Sequence, residues 1–191
     1  DVDTRYRERY IDMALNDDVR DVFIKRSRVL QSIREYLLEN KFIEVETPTL
    51  QPIYGGANAR PFTTHHNAAD MTLYLRVAPE LYLKRCIVGG MERVFEFSKN
   101  FRNEGMDRTH SPEFTGLEFY QAYADYNDMM IHFENIYERA AIAATGSTKV
   151  NYQGTEIDFK APWPRYTMYD AIQKFGGYDV TTMSDDDLKA V

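Results

Sequence analysis

The 191-residue sequence holds one cysteine, lacks an initiator methionine, and has no apolar run near the roughly 20 residues that span a bilayer. That lack of an apolar run argues against a membrane, and a single cysteine cannot close an internal disulfide, which favours a reducing, cytoplasmic setting. Cys86 is read as a buried packing thiol. The charged opening, Asp1-Val2-Asp3-Thr4-Arg5, excludes a secretory signal, and with no initiator methionine the chain reads as the interior of a longer gene product. Positive charge is in deficit too. A formal net charge of −7 leaves no surplus of Lys and Arg for a surface devoted to phosphate backbones. Any RNA handled by such a protein draws most of its affinity from elsewhere. What is present can build a core, at 43% hydrophobic and 14% aromatic residues. There are no repeats or linkers, so residues 1–191 are taken as one unit.

Helical spacing of Val19, Val22, Phe23, Arg26, Val29, Leu30, Ile33 and Leu37 predicts a helix over 18–40, with Asn16 and Asp17 as caps. The period then changes to two: 42–48 reads as a strand ended by Pro48, and 73–77 as another. Residues 59–67 read as polar loop. Pro79 opens a short helix that Gly89-Gly90 closes. Residues 93–102 and 114–124 alternate again, joined by a polar loop over 103–112. A helix over 127–144, a hairpin around Gln153-Gly154, a short helix over 167–175 and a barely begun helix after Ser184 complete the pass.

The informative stretch is the strand, loop and strand of 93–123. Two strands joined in this way are antiparallel. Period two puts Glu96, Ser98, Asn100 and Arg102 on one face of the first, and Phe114, Gly116, Glu118 and Tyr120 on one face of the second. If those faces coincide, one surface gathers a guanidinium, an aromatic ring, a carboxylate and a phenol. Burying that mixture is costly unless each charge has a partner. A solvated sheet face with a cross-strand Arg102–Glu118 ion pair explains the spacing as well as a ligand site does.

The residues themselves go further. Phe101-Arg102-Asn103-Glu104-Gly105, His110-Ser111-Pro112-Glu113-Phe114-Thr115 and Glu118-Phe119-Tyr120 together resemble the second signature motif of class II aminoacyl-tRNA synthetases in its lysine-specific form. Glu46-Thr47-Pro48 resembles the first motif. The segments from Gly55 to Phe62 and from Tyr74 to Lys84 are also similar to lysyl enzymes, and the likeness runs from about Arg5 to Phe175. It implies an α+β fold: a mostly antiparallel sheet flanked by helices, here the N-terminal part of the catalytic domain. The third motif and the acidic Mg2+ ligands are expected beyond Val191, and the anticodon-binding OB-fold before Asp1, so no metal site is expected within the chain.

The activity that this resemblance implies is two-step. L-lysine and ATP give lysyl-adenylate and pyrophosphate, and the lysyl group then passes to tRNA(Lys). The lysine carboxylate is the nucleophile, so no Ser or Cys nucleophile is needed. By resemblance, Arg102 bridges the lysine carboxylate and the α-phosphate, Phe114 stacks on adenine, Glu104 accepts from its amine, and His110 lies near the outer phosphates. Glu118 and Tyr120 receive the ε-ammonium, while Glu80 and the backbone at Gly56 hold the α-ammonium. Glu80 could equally complement the dipole of the helix it opens, and Tyr120 could be core. His65-His66 are read as loop residues, since neighbours in an extended segment point apart and no further ligand stands nearby. Lysyl enzymes often carry Arg directly before the motif histidine. Thr109 stands there, with Arg108 one place earlier, which leaves the arginine at the outer phosphates open.

The family also implies a homodimer through the Val19–Leu37 stripe and the strand ending at Pro48. The isolated chain is expected to lack full activity. Two other readings share the sequence: a paralogue that lysylates a protein, and a non-catalytic interaction module derived from a synthetase.

Overall fold

The computed structural model describes residues 2–190. Two short helices, α1 (Val2–Arg7) and α2 (Arg9–Leu15), precede the long α3 (Asp17–Glu39). Then come β1 (Ile43–Glu44), β2 (Leu50–Gln51), β3 (Thr63–His66), β4 (Met71–Leu75) and α4 (Glu80–Val88). The hairpin of β5 (Arg93–Phe101) and β6 (Glu113–Gln121) follows, and α5 (Tyr126–Thr145) after it. The chain closes with β7 (Lys149–Tyr152), β8 (Thr155–Asp158), α6 (Met168–Ala171), a π-helical turn Ile172–Gly176, and α7 (Asp185–Ala190).

The expected α+β class is the one observed, with pairing that is antiparallel except between β1 and β5. One sheet runs β1-β5-β6, a second β2-β4-β3, and β7-β8 form a separate hairpin. That hairpin turns on Gln153 and Gly154, both at positive φ (51° and 88°), the geometry of a tight two-residue turn.

Alternation along β5 and β6 decides what lies on each side. Phe95, Phe97, Leu117 and Phe119 share the face against α3 and α5, where Tyr36, Leu37, Phe42 and Ile136 complete the core. Helix α5 is fixed at its start by a capping box between Asp125 and Asp128, and at its end by Gly146 in the left-handed region, φ 80°. Inside the core His132 joins Tyr36 and Gln121. Its Nδ1 lies 2.9 Å from the Tyr36 hydroxyl and its Nε2 3.0 Å from Gln121 Oε1. Burial lowers the His132 pKa and raises that of Tyr36.

Several expectations need correction. Residues 63–66 are a strand, not loop: Thr-Thr-His-His has no apolar alternation, and its register with β4 comes from backbone bonds alone. The α3 stripe is divided. Ile33, Tyr36 and Leu37 turn into the core, whereas Val22, Phe23 and Ile24 are 63%, 47% and 43% exposed. Asn16 caps α3 by position only, because its side-chain amide donates to Asp12 Oδ1 at 2.7 Å. Cys86 is only partly buried.

Candidate functional site

The second face of the β5–β6 hairpin carries the chemistry. In register, Glu96 stands opposite Glu118, Ser98 opposite Gly116 and Asn100 opposite Phe114. Arg102 continues the pairing past the end of β5, its N–H donating to the Pro112 carbonyl at 2.9 Å. Arg102, Phe114 and Glu118 therefore share one surface, as parity requires. The ordinary explanation of that spacing, a cross-strand Arg102–Glu118 ion pair, is not what forms: among the described residues no such pair lies within 4 Å.

Most polar groups on this floor are satisfied from within. Arg76 reaches over from beyond the end of β4 and donates to Glu96 Oε1 at 2.6 Å, to the Lys99 carbonyl at 2.8 Å and to the Thr47 carbonyl at 3.1 Å. The Thr47 hydroxyl donates to Glu96 Oε2 at 2.6 Å. Both ends of the pair are buried, at 6% and 4% side-chain exposure, so the segment before Pro48 is locked to β5. The Ser98 hydroxyl donates to Asn100 Oδ1 at 3.1 Å. Gly116 makes room for this, because a Cβ there would stand 2.7 Å from Asn100 Nδ2.

One buried atom is left over. Arg102 Nε has no hydrogen-bond partner, and among the described residues it is the buried side-chain polar atom in that condition. An unsatisfied buried donor costs about 1–3 kcal/mol, so a fold that keeps one has an acceptor from outside to bring. Its guanidinium carbon sits over the Phe114 ring, 5.1 Å from the centroid. These two residues wall a cavity of about 310 Å³ together with Glu104, Gly105, Thr109, His110 and Ser111. Glu104 Oε1 also accepts the Arg60 N–H at 3.0 Å, and Asn103 N–H donates to the Arg60 carbonyl at 2.8 Å. That double contact fixes the Gly55–Phe62 segment against the loop.

Across Arg102 the charge reverses. The Tyr120 hydroxyl donates to Glu118 Oε2 at 2.9 Å. Burial pushes the Glu118 carboxyl above the ordinary range, helped by the nearby Glu80 and Glu96 charges and opposed by Tyr120 and Arg102. The Tyr120 phenol is pushed up by burial and by Glu118. Glu80 opens α4 and pairs with Lys84 at 2.6 Å. Gly56, at φ 90°, lies so close that a Cβ would stand 2.8 Å from Glu80 Cβ and 3.2 Å from Ala78 Cβ. An anionic group of Glu80 and Glu118, with Gly56 packed against Glu80, thus stands near a cationic one at Arg102. Such a pair suits a ligand with ammonium groups at one end and phosphate at the other.

The residues singled out by sequence fall into one neighbourhood. Arg102, Glu104, His110 and Phe114 line the cavity; Gly56 packs against Glu80, whose charge acts on Glu118 and Tyr120. The Arg76–Glu96–Thr47 network was missed. His65 and His66 are engaged locally, with Asp70 Oδ1 at 3.3 Å and with the Ala69 N–H at 3.1 Å. Among the described residues no group of three or more His, Cys, Asp or Glu could hold a metal ion. Nor is any described helix long and apolar enough to cross a membrane.

Comparison with known proteins gives the family. The family model of class II tRNA synthetases (D, K and N) matches residues 1–190. The chain belongs to the class II tRNA synthetases. It is 57% identical over 186 residues to a lysine--tRNA ligase of Clostridium botulinum (strain Hall), covering 97% of this chain. A lysine--tRNA ligase of Clostridium novyi is 56% identical over 187 residues, 98% of the chain. One from Methanoculleus marisnigri is 54% identical over 189 residues, 99% of the chain. The chain spans about 37% of the length of each of these relatives.

Proposed function

We propose that the chain is the front part of the aminoacylation domain of a lysine--tRNA ligase, which activates L-lysine with ATP and transfers it to tRNA(Lys). The observation that carries the reading is the buried, unpartnered Nε of Arg102, beside the Phe114 ring and near the Glu118 carboxylate.

Lysine enters with its ε-ammonium at Glu118 and Tyr120 and its α-ammonium at Glu80 and the Gly56 backbone. Its carboxylate then lies beside Arg102. ATP lays its adenine on Phe114, its amine toward Glu104 and its outer phosphates toward His110. The lysine carboxylate oxygen attacks the α-phosphorus, and pyrophosphate departs with the electron pair of the broken P–O bond. Arg102 is the group suited to that step. Its planar fork can donate to the carboxylate and to an α-phosphate oxygen together, holding them in line as negative charge builds between them. The site needs no proton relay, because the nucleophile is ionised already.

Selectivity follows from Glu118. A neutral side chain of lysine's length leaves a half-buried carboxylate and a phenol without their cation, which costs far more than a lost apolar contact. Mg2+ belongs to the family's chemistry; among the described residues no group of three or more His, Cys, Asp or Glu could hold it. A second copy of the chain has the exposed start of α3 to pair with, where Val22, Phe23 and Ile24 face outward.

Thermal shift tests the assignment. Lysine with ATP, or lysyl-sulfamoyl adenosine, should raise the melting temperature, with about 2.7 kcal/mol of added stability at 100 times Kd. Norleucine, which keeps the α-ammonium but lacks the ε-ammonium, should add little to the shift from ATP alone. Equal shifts from lysine and norleucine would remove Glu118 and Tyr120 from substrate binding.

A further inference from the structure

The loop between β5 and β6 ends in a turn built on one carboxylate. Asp107 Oδ1 accepts the backbone N–H of Thr109 at 2.7 Å and of His110 at 2.8 Å. The Thr109 hydroxyl donates to the same oxygen at 2.9 Å. A fourth partner is the His110 ring, whose Nδ1 lies 2.9 Å from Oδ1 and 2.8 Å from Oδ2. The Asp107 N–H donates back to the His110 carbonyl at 3.1 Å. With the Thr109 N–H foremost, these donors hold the Asp107 carboxyl well below the usual carboxylate range.

An exposed His–Asp contact contributes little to stability, and a local turn needs only the backbone donors. Two further facts give the contact a purpose. Thr109 and His110 line the cavity with Arg102 and Phe114, whereas Asp107 is not in that wall. A loose carboxylate beside a site for polyphosphate would repel its ligand; this one is engaged by four donors. A carboxylate accepts from Nδ1 only when that nitrogen carries hydrogen, and Nε2 can donate to a phosphate oxygen only when it carries hydrogen as well, so the arrangement uses the imidazolium form, with Nδ1–H to Asp107 and Nε2–H toward the cavity.

We propose that Asp107 is a positioning residue, which holds the His110 ring through Nδ1 so that Nε2 meets the outer phosphates of ATP. The proposal rests on the role given to His110 above. Asp107→Asn separates the two jobs of this side chain. Asparagine keeps an oxygen for the turn's backbone N–H groups, but it has no charged acceptor for the ring.

In the full-length gene product, lysine-dependent pyrophosphate exchange should show the KM for ATP raised about tenfold in Asp107→Asn, the loss of one charge-assisted hydrogen bond. The KM for lysine should stay unchanged. His110→Ala should raise the ATP KM at least as far, and adding Asp107→Asn to it should change nothing more. Nitrogen NMR of the ring should find both Nδ1 and Nε2 protonated in the ATP-bound parent and the imidazolium signature lost in Asp107→Asn. A silent Asn variant beside an impaired His110→Ala overturns the proposal alone, as does an Asn effect that persists in full without His110. An unaltered ATP KM in His110→Ala overturns the phosphate role as well, which separates the two failures.

Discussion

Replacing Glu118 with Gln should make the ligand-free protein more stable and the enzyme worse. Glu118 is partly buried, faces the charges of Glu80 and Glu96, and has a carboxyl pKa above the ordinary range. A group raised in this way stabilises the fold while protonated. That contribution is fully present below the unfolded value of about 4.3 and is lost as pH rises through the raised folded value. At pH 7 the ionised carboxylate therefore opposes folding, and a neutral isostere relieves it. The Tyr120 hydroxyl can still donate to the Gln oxygen. Scanning calorimetry should find Tm higher in Glu118→Gln at pH 7, each kcal/mol moving it by about 2–4 °C for a chain of this size. The difference should shrink toward pH 4. Against that gain, the ε-ammonium loses a charged acceptor worth about 1.5–3 kcal/mol, so kcat/KM for lysine should fall about 10- to 150-fold while the ATP KM holds. A lower Tm at pH 7 with unchanged lysine kinetics would refute the reasoning at both ends.

Arg76→Ala should destabilise by about 3–5 kcal/mol, lowering Tm by about 6–20 °C, because it strands Glu96 beneath the site; a drop under 2 °C in calorimetry would contradict the role given to this pair. Gly56→Ala forces a Cβ into Glu80 at a positive φ, a strain of about 1–2 kcal/mol. Kinetics should show it as a raised lysine KM at a constant ATP KM, and equal increases in both would locate Gly56 elsewhere. Glu134 carries the opposite sign from Glu118. It accepts the Trp163 N–H at 2.9 Å and pairs with Arg165 at 2.9 Å, and the first of these leads in holding its carboxyl low. Its stabilisation is present above the ordinary glutamate value and lost as pH falls through the lowered one. Glu134→Gln should therefore lower Tm at neutral pH, with the gap closing in acid; a gap independent of pH would count against it.

The site was legible in sequence because it is built on alternation. Arg102, Phe114, Glu118 and Tyr120 needed only period two and an antiparallel hairpin, and the register delivers them to one face. Roles were another matter: spacing allowed an ion pair as readily as a ligand site, and only the resemblance to synthetases separated them. The Arg76–Glu96–Thr47 network joins residues 20 and 49 positions apart, and no local period reports such contacts. One clue was available, an arginine within the apolar run Leu73-Tyr74-Leu75-Arg76-Val77, since a buried cation requires a buried acid. The helices before Asn16 left no apolar stripe to read. They are tied instead by Asp12, which is buried and accepts from Arg5, Arg9 and Asn16. The divided α3 stripe marks where helical periodicity stops being informative, since it finds an apolar face and not what covers it.

The most direct test is a crystal structure of the full-length gene product with lysyl-sulfamoyl adenosine. The account predicts the ε-ammonium within about 3.2 Å of a Glu118 oxygen, the sulfamoyl group at the Arg102 fork with Nε satisfied, and adenine on Phe114. An ammonium bound away from Glu118, with Arg102 Nε still unpartnered, would contradict it.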